Sequence, residues 1–84
     1  MNKIDLASVL SMNNKTALND DTICGCFSCL TIFNPKEIIE WCQDVDDETA
    51  LCPYCGIDSV IGESAGLPIT IDFLKKVNKE YFDD

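Results

Sequence analysis

The sequence predicts a small α+β domain in which short β-strands carry two cysteine knuckles, with one helix between the knuckles and one at the C-terminus. Three observations carry that reading. Cys26-Phe-Ser-Cys29 and Cys52-Pro-Tyr-Cys55-Gly56 each set two thiols three positions apart on a tight turn. Apolar and β-favouring residues flank both turns: Leu30, Ile32 and Phe33 after the first, Val60 and Ile61 after the second. Two helix-start signals, at Asn34-Pro35 and at Thr70, precede runs rich in apolar residues.

Taken in order, residues 1–22 form an N-terminal segment ahead of a metal-binding domain at 23–84. Ile4, Leu6, Ala7, Val9 and Leu10 have helical spacing, which predicts a short helix over about 4–11. Ser11 to Thr22 is polar and turn-prone, so the segment reads as a short helix or a flexible arm. Residues 23–33 read as a hairpin turning through the first cysteine pair. Asn34 is a suitable N-cap, Pro35 fits the first helical position, and Glu37 falls where a capping-box acid reaches back. These predict a helix over about 35–42 that buries some of Ile38, Ile39, Trp41 and Cys42. Asp44 to Glu48 is an acidic loop lacking the glycine and distal glutamate of an EF-hand. Residues 49–61 read as strand, cysteine turn, strand. After a glycine-containing loop, Thr70 caps a helix over about 71–82, with Phe73, Leu74, Val77 and Tyr81 on one side.

A chain of 84 residues holds one domain, and one this small often needs a metal, a disulfide or a partner to stay folded. Its six cysteines invite either cross-link. The first ten residues break any apolar stretch with Asp5 and Ser8, unlike a signal peptide, and no apolar run reaches membrane-spanning length. A cytoplasmic address is therefore expected, where thiols stay reduced and paired CxxC turns favour metal. Zinc takes four ligands at tetrahedral angles, and Cys26, Cys29, Cys52 and Cys55 supply four sulfurs. Cys24 lies two positions before Cys26 and is an alternative ligand, as Cys24/Cys26 or Cys24/Cys29. Iron is the alternative metal.

The net charge of −9, with neither histidine nor arginine, disfavours nucleic acid as a partner. Lys75, Lys76 and Lys79 on the last helix are the one basic patch and the basis of a nucleic-acid alternative. Eight carboxylates fall between Glu37 and Glu63 with no lysine among them. Glu37, Glu40, Asp44, Asp46, Asp47 and Glu48 are accordingly the candidate partner-binding residues, for another protein with a basic surface. Without histidine there is no ready general base, and four cysteines close a zinc site that catalysis needs open. The chain reads as a non-enzymatic interaction module.

The stretch Cys24-Gly-Cys-Phe-Ser-Cys-Leu-Thr-Ile-Phe33, with Ile39-Glu-Trp41 and Ala50-Leu-Cys-Pro-Tyr-Cys-Gly-Ile-Asp-Ser-Val-Ile-Gly62, resembles a family of small uncharacterised bacterial cytoplasmic proteins. Pro68-Ile-Thr70 and Phe73-Leu74 fit the same pattern, so the resemblance spans about residues 24–82. It implies a bacterial or phage-related cytosolic zinc protein with no assigned reaction, and Cys42 is not part of the pattern. More broadly the chain is similar to zinc ribbons and rubredoxins, with a helix inserted between the two turns. Cys52-Pro-Tyr-Cys-Gly56 resembles the second rubredoxin turn, which is the basis of the iron electron-transfer alternative. Rubredoxins carry glycine after the first pair as well, where this chain has Leu30.

Overall fold

The computed structural model describes residues 2–82, which form an α+β fold of three helices and two antiparallel sheets. The central sheet has the order β2-β1-β5, from Ile32–Phe33, Cys24–Cys26 and Val60–Gly62. Strand β1 pairs Cys24 with Phe33 on one side, and Cys24, Gly25 and Cys26 with Gly62, Ile61 and Val60 on the other. A separate hairpin joins β3 (Trp41–Gln43) to β4 (Glu48–Ala50). The strands on either side of the second cysteine turn thus belong to different sheets.

Side chains alternate across the central sheet and divide the interior in two. Cys24, Cys26, Phe33 and Val60 face one cluster with Leu18, Ile38, Ala50 and Cys52, against which Trp41 packs. Ile61 faces the other, with Ala7, Phe27, Leu67, Phe73, Leu74 and Val77. That second layer is covered by α1 (Lys3–Leu10) and α3 (Ile71–Tyr81). Helix α3 lies so close to β1 that a Cβ on Gly25 would come within 2.9 Å of a Leu74 methyl. Thr70 accepts from the Phe73 N–H at 3.2 Å, and the Phe73, Leu74 and Val77 side of the helix is buried.

The N-terminal segment packs onto this frame. Ala7 of α1 is fully buried, and α2 (Lys15–Asn19) inserts Leu18 into the first cluster. Between the helices, Asn14 joins the two sheets. Its amide donates to Val60 O at 2.8 Å and accepts from Ala50 N–H at 3.1 Å, with only 6% of the residue exposed.

The predicted helix over 35–42 does not form. Its capping box does: Asn34 accepts from Lys36 N–H at 2.9 Å, and Glu37 accepts from Asn34 N–H at 3.1 Å. The cap starts a single 3-10 turn, Pro35–Glu37, which ends at Ile38 in extended backbone. Two β-branched isoleucines in succession disfavour helix and suit a strand. Extension also carries Trp41 against the first cluster while leaving Ile39 80% exposed. Cys42, expected inside that helix as a buried apolar residue, is instead exposed on β3. No helix among the described residues is long and apolar enough to cross a membrane.

Candidate metal centre

Both cysteine pairs sit on the same backbone device. In the first knuckle Cys26 N–H donates to Thr31 O at 3.0 Å, and Leu30 N–H donates to Cys26 O at 2.8 Å. In the second, Cys52 N–H donates to Ile57 O at 3.0 Å, and Gly56 N–H donates to Cys52 O at 2.8 Å. Ser28 N–H points at Cys26 Sγ and Tyr54 N–H at Cys52 Sγ, each at 3.4 Å. The residue after each pair is left-handed, Leu30 with φ 64° and Gly56 with φ 80°.

The two knuckles face each other and bring the four sulfurs of Cys26, Cys29, Cys52 and Cys55 within 4.8 Å of one another. Two of these contacts cross between the knuckles, Cys26 to Cys55 and Cys29 to Cys52, both 3.6 Å. These are far longer than a disulfide, about 2.0 Å. They suit the edge of a tetrahedron around zinc, which at a metal–sulfur distance of about 2.3 Å is about 3.8 Å. The donor set is all sulfur, soft, and able to close the coordination of one zinc or iron ion. Cys26 and Cys52, first in each pair, are buried, whereas Cys29 and Cys55 face the surface.

The electrostatics follow from that depth. Burial pushes the Cys26 thiol far up, against the lowering effect of Ser59 and of backbone N–H groups. Burial raises Cys52 as well. At Cys29 burial again acts upward, but hydrogen bonds with Thr31 and with the neighbouring thiols outweigh it and bring the thiol down to about 7. Four thiolates crowded at this depth repel one another, and a bound cation removes that cost. Ser59, 1% exposed, places its hydroxyl 2.9 Å from Cys26 Sγ, and Thr31 stands 3.2 Å from Cys29 Sγ. Neither hydroxyl is singled out by the sequence; their only signal there is a position just before the strand that leaves a knuckle.

Cys24 stands apart from the four-sulfur cluster. It is fully buried one strand position before Gly25, and its thiol donates to Phe33 O at 3.4 Å. Burial first, then the Asp21, Cys52 and Glu37 charges, push it up to about 12.

The second knuckle is braced from outside. The Tyr54 ring lies 5.5 Å from that of Phe33, and its hydroxyl donates to Glu37, the capping-box acid. Of the candidate partner-binding acids, Glu37 thus holds a turn and a knuckle together. Asp44 accepts from the Thr49 hydroxyl at 2.7 Å, and Asp47 from Thr16 N–H at 2.9 Å. Glu48 pairs with Lys15 at 2.6 Å. Glu40 and Asp46 are exposed. Lys75, Lys76 and Lys79 lie on the exposed side of α3.

Searches against protein-family models, curated proteins and solved structures return no match to this chain.

Proposed function

We propose that the protein is a small zinc-stapled module, without catalytic activity of its own, that offers an acidic surface to a basic protein partner. The observation that carries it is the closed four-sulfur cluster of Cys26, Cys29, Cys52 and Cys55. Zinc bound there would tie β1 and β2 to the chain between β4 and β5, so metal binding contributes directly to folding. The all-sulfur set leaves no vacant position for a substrate, which supports a structural role in the manner of a zinc ribbon. Two knuckles with matching backbone, each ending in a left-handed residue, also support the resemblance to the small bacterial cytoplasmic proteins and to zinc ribbons.

The acidic surface supports the second half of the reading. With a net charge of −9, association with a basic partner is accelerated and salt-sensitive. Affinity capture at low salt should recover basic proteins that 0.5 M salt releases. Recovery of only neutral or acidic partners, or binding indifferent to salt, rejects the reading.

One observation favours iron as a second reading. Leu30 adopts the left-handed backbone that glycine provides after the first pair in rubredoxins, so its side chain does not prevent a rubredoxin-like knuckle. Protein produced with iron and zinc in competition decides between them. A colourless, zinc-loaded product supports the structural role; a red product that can be reduced and reoxidised supports electron transfer.

A further inference from the structure

We infer that the outer edge of β3 is where the partner binds, by accepting an extended basic segment as a third strand of the β3–β4 sheet. This rests on the acidic-module reading and adds the place and the geometry.

The register of the hairpin fixes which way the backbone points. Leu51 N–H donates to Glu40 O at 3.1 Å and Asp44 N–H to Asp47 O at 3.0 Å, while Cys42 stands opposite Thr49. In an antiparallel ladder the backbone groups of Glu40, Cys42 and Asp44 therefore face β4, and those of Trp41 and Gln43 face outward. Among the described residues β3 pairs with β4 alone. The far edge of β4 is different: Asn14 covers it by accepting from Ala50 N–H, and Asn13 N–H caps the Thr49 hydroxyl at 2.9 Å. One edge of this sheet is closed by the N-terminal segment and the other is open.

The side chains along the open edge specify what fits. Residues 39, 41 and 43 share one face, and 40, 42 and 44 share the other. The first face carries Ile39, 80% exposed; beside it, where Glu40 stands opposite Leu51, opens a cleft of about 150 Å³ that Ile39, Pro53 and Tyr54 also line. The second carries Glu40 and Asp44, with Asp46 exposed at the hairpin tip. A strand added here would set alternate residues against an apolar face and an acidic one, so it needs aliphatic and cationic side chains in alternation. Of the lysines close by, Lys15 is engaged with Glu48 and the Trp41 ring. A second copy of the chain is a poor occupant, because two β3 edges would bring their Glu40 and Asp44 carboxylates together.

The test uses the zinc-loaded full chain, an eight-residue alternating Lys-Val peptide, and a Glu-Val peptide as counterpart. The expected result is binding of the Lys-Val peptide at least about tenfold tighter than of the Glu-Val peptide at low salt. On saturation the amides of Trp41 and Gln43 should gain hydrogen-exchange protection, while that of Cys42, already facing β4, changes little. Gln43→Pro removes an outward N–H without touching a β3–β4 bond, and Ile39→Ser removes the exposed anchor. Each should weaken binding at least about fivefold with circular dichroism unchanged. If Gln43→Pro disturbs the hairpin, Ile39→Ser, at an exposed position, still decides. Salt-sensitive binding that protects other amides and ignores Ile39→Ser overturns the edge site and leaves the acidic module standing. No preference for Lys-Val over Glu-Val overturns both.

Discussion

Leu30 and Gly56 occupy the same place in the two cysteine knuckles and share a left-handed backbone, with φ 64° and 80°. Each donates its N–H to the carbonyl of the first cysteine of its pair at 2.8 Å, which closes the turn around the sulfurs. Left-handed backbone costs a residue with a Cβ about 1 kcal/mol. Leu30 bears that cost while packing against the second cluster, whereas Gly56 avoids it. A Cβ on Gly56 would meet nothing within 4 Å, so the effect of Gly56→Ala is conformational alone. A loss of about 1 kcal/mol is expected, seen as a fall of about 4–8 °C in the thermal midpoint of the metal-loaded chain. An unchanged midpoint would show that the turn relaxes.

Asn14 should matter far more than its polar character suggests. Replacing it with alanine leaves Ala50 N–H and Val60 O without the partner that joins the two sheets. Burying those groups unpaired costs about 1–3 kcal/mol each, so Asn14→Ala is expected to lose at least about 2 kcal/mol. Chemical denaturation at fixed zinc measures this. A loss under about 0.5 kcal/mol would mean that water replaces the amide.

Thiol reactivity separates the six cysteines. In the zinc-loaded chain at about pH 8, an alkylating reagent should modify Cys42 first, because it is exposed and outside the cluster. As a chelator draws off the zinc, Cys29 and Cys55, the surface-facing members of the two pairs, should be the next to react. Cys24, fully buried and pushed up to about 12, should react only on unfolding. Mass spectrometry of the labelled peptides reads the order; early labelling of Cys24 would contradict that packing.

Acid should loosen the hold of the hairpin on the N-terminal segment. Hydrogen bonds from Thr16 and from Glu48 N–H keep the Asp47 carboxyl below its ordinary value. Its folded value is below its unfolded one, so its contribution is present above the unfolded value, near pH 4, and is lost as pH falls through the lowered one. Asp47→Asn should therefore flatten the acid limb of the stability profile relative to the unaltered chain, both measured at the same excess of zinc so that protonation of the metal ligands cancels in the difference. An identical limb in both proteins would assign the acid loss to other carboxylates.

The cysteine knuckles are legible in the sequence because spacing and turn chemistry are local: a CxxC turn sets two thiols side by side whether the next residue is Leu30 or Gly56. Helix α3 is legible for the same reason, through Thr70 and the Phe73, Leu74, Val77 stripe. The stretch after Asn34 is not, because a capping box promises a full helix when only the sequence is in view. The cap fixes no more than its own turn, and the path of residues 38–43 is decided by where Trp41 can be buried, a tertiary matter. Helix α2 escapes sequence reading because its five residues carry one buried side chain, Leu18, too few for a period. The joining role of Asn14 and the hydroxyl of Ser59 against Cys26 arise from contacts across 46 and 33 residues, which no local pattern encodes.

Cys26, Cys29, Cys52 and Cys55 could together hold one metal ion, and cobalt substitution tests most directly the proposal that they do and that the fold depends on it. Cobalt in a tetrahedral all-thiolate site gives intense visible absorption and needs all four sulfurs. One equivalent should bind per chain, with that spectrum kept in Cys24→Ser and Cys42→Ser and lost or altered in Cys52→Ser. A chain that folds fully without metal, or a spectrum that survives Cys52→Ser and vanishes in Cys24→Ser, would contradict it.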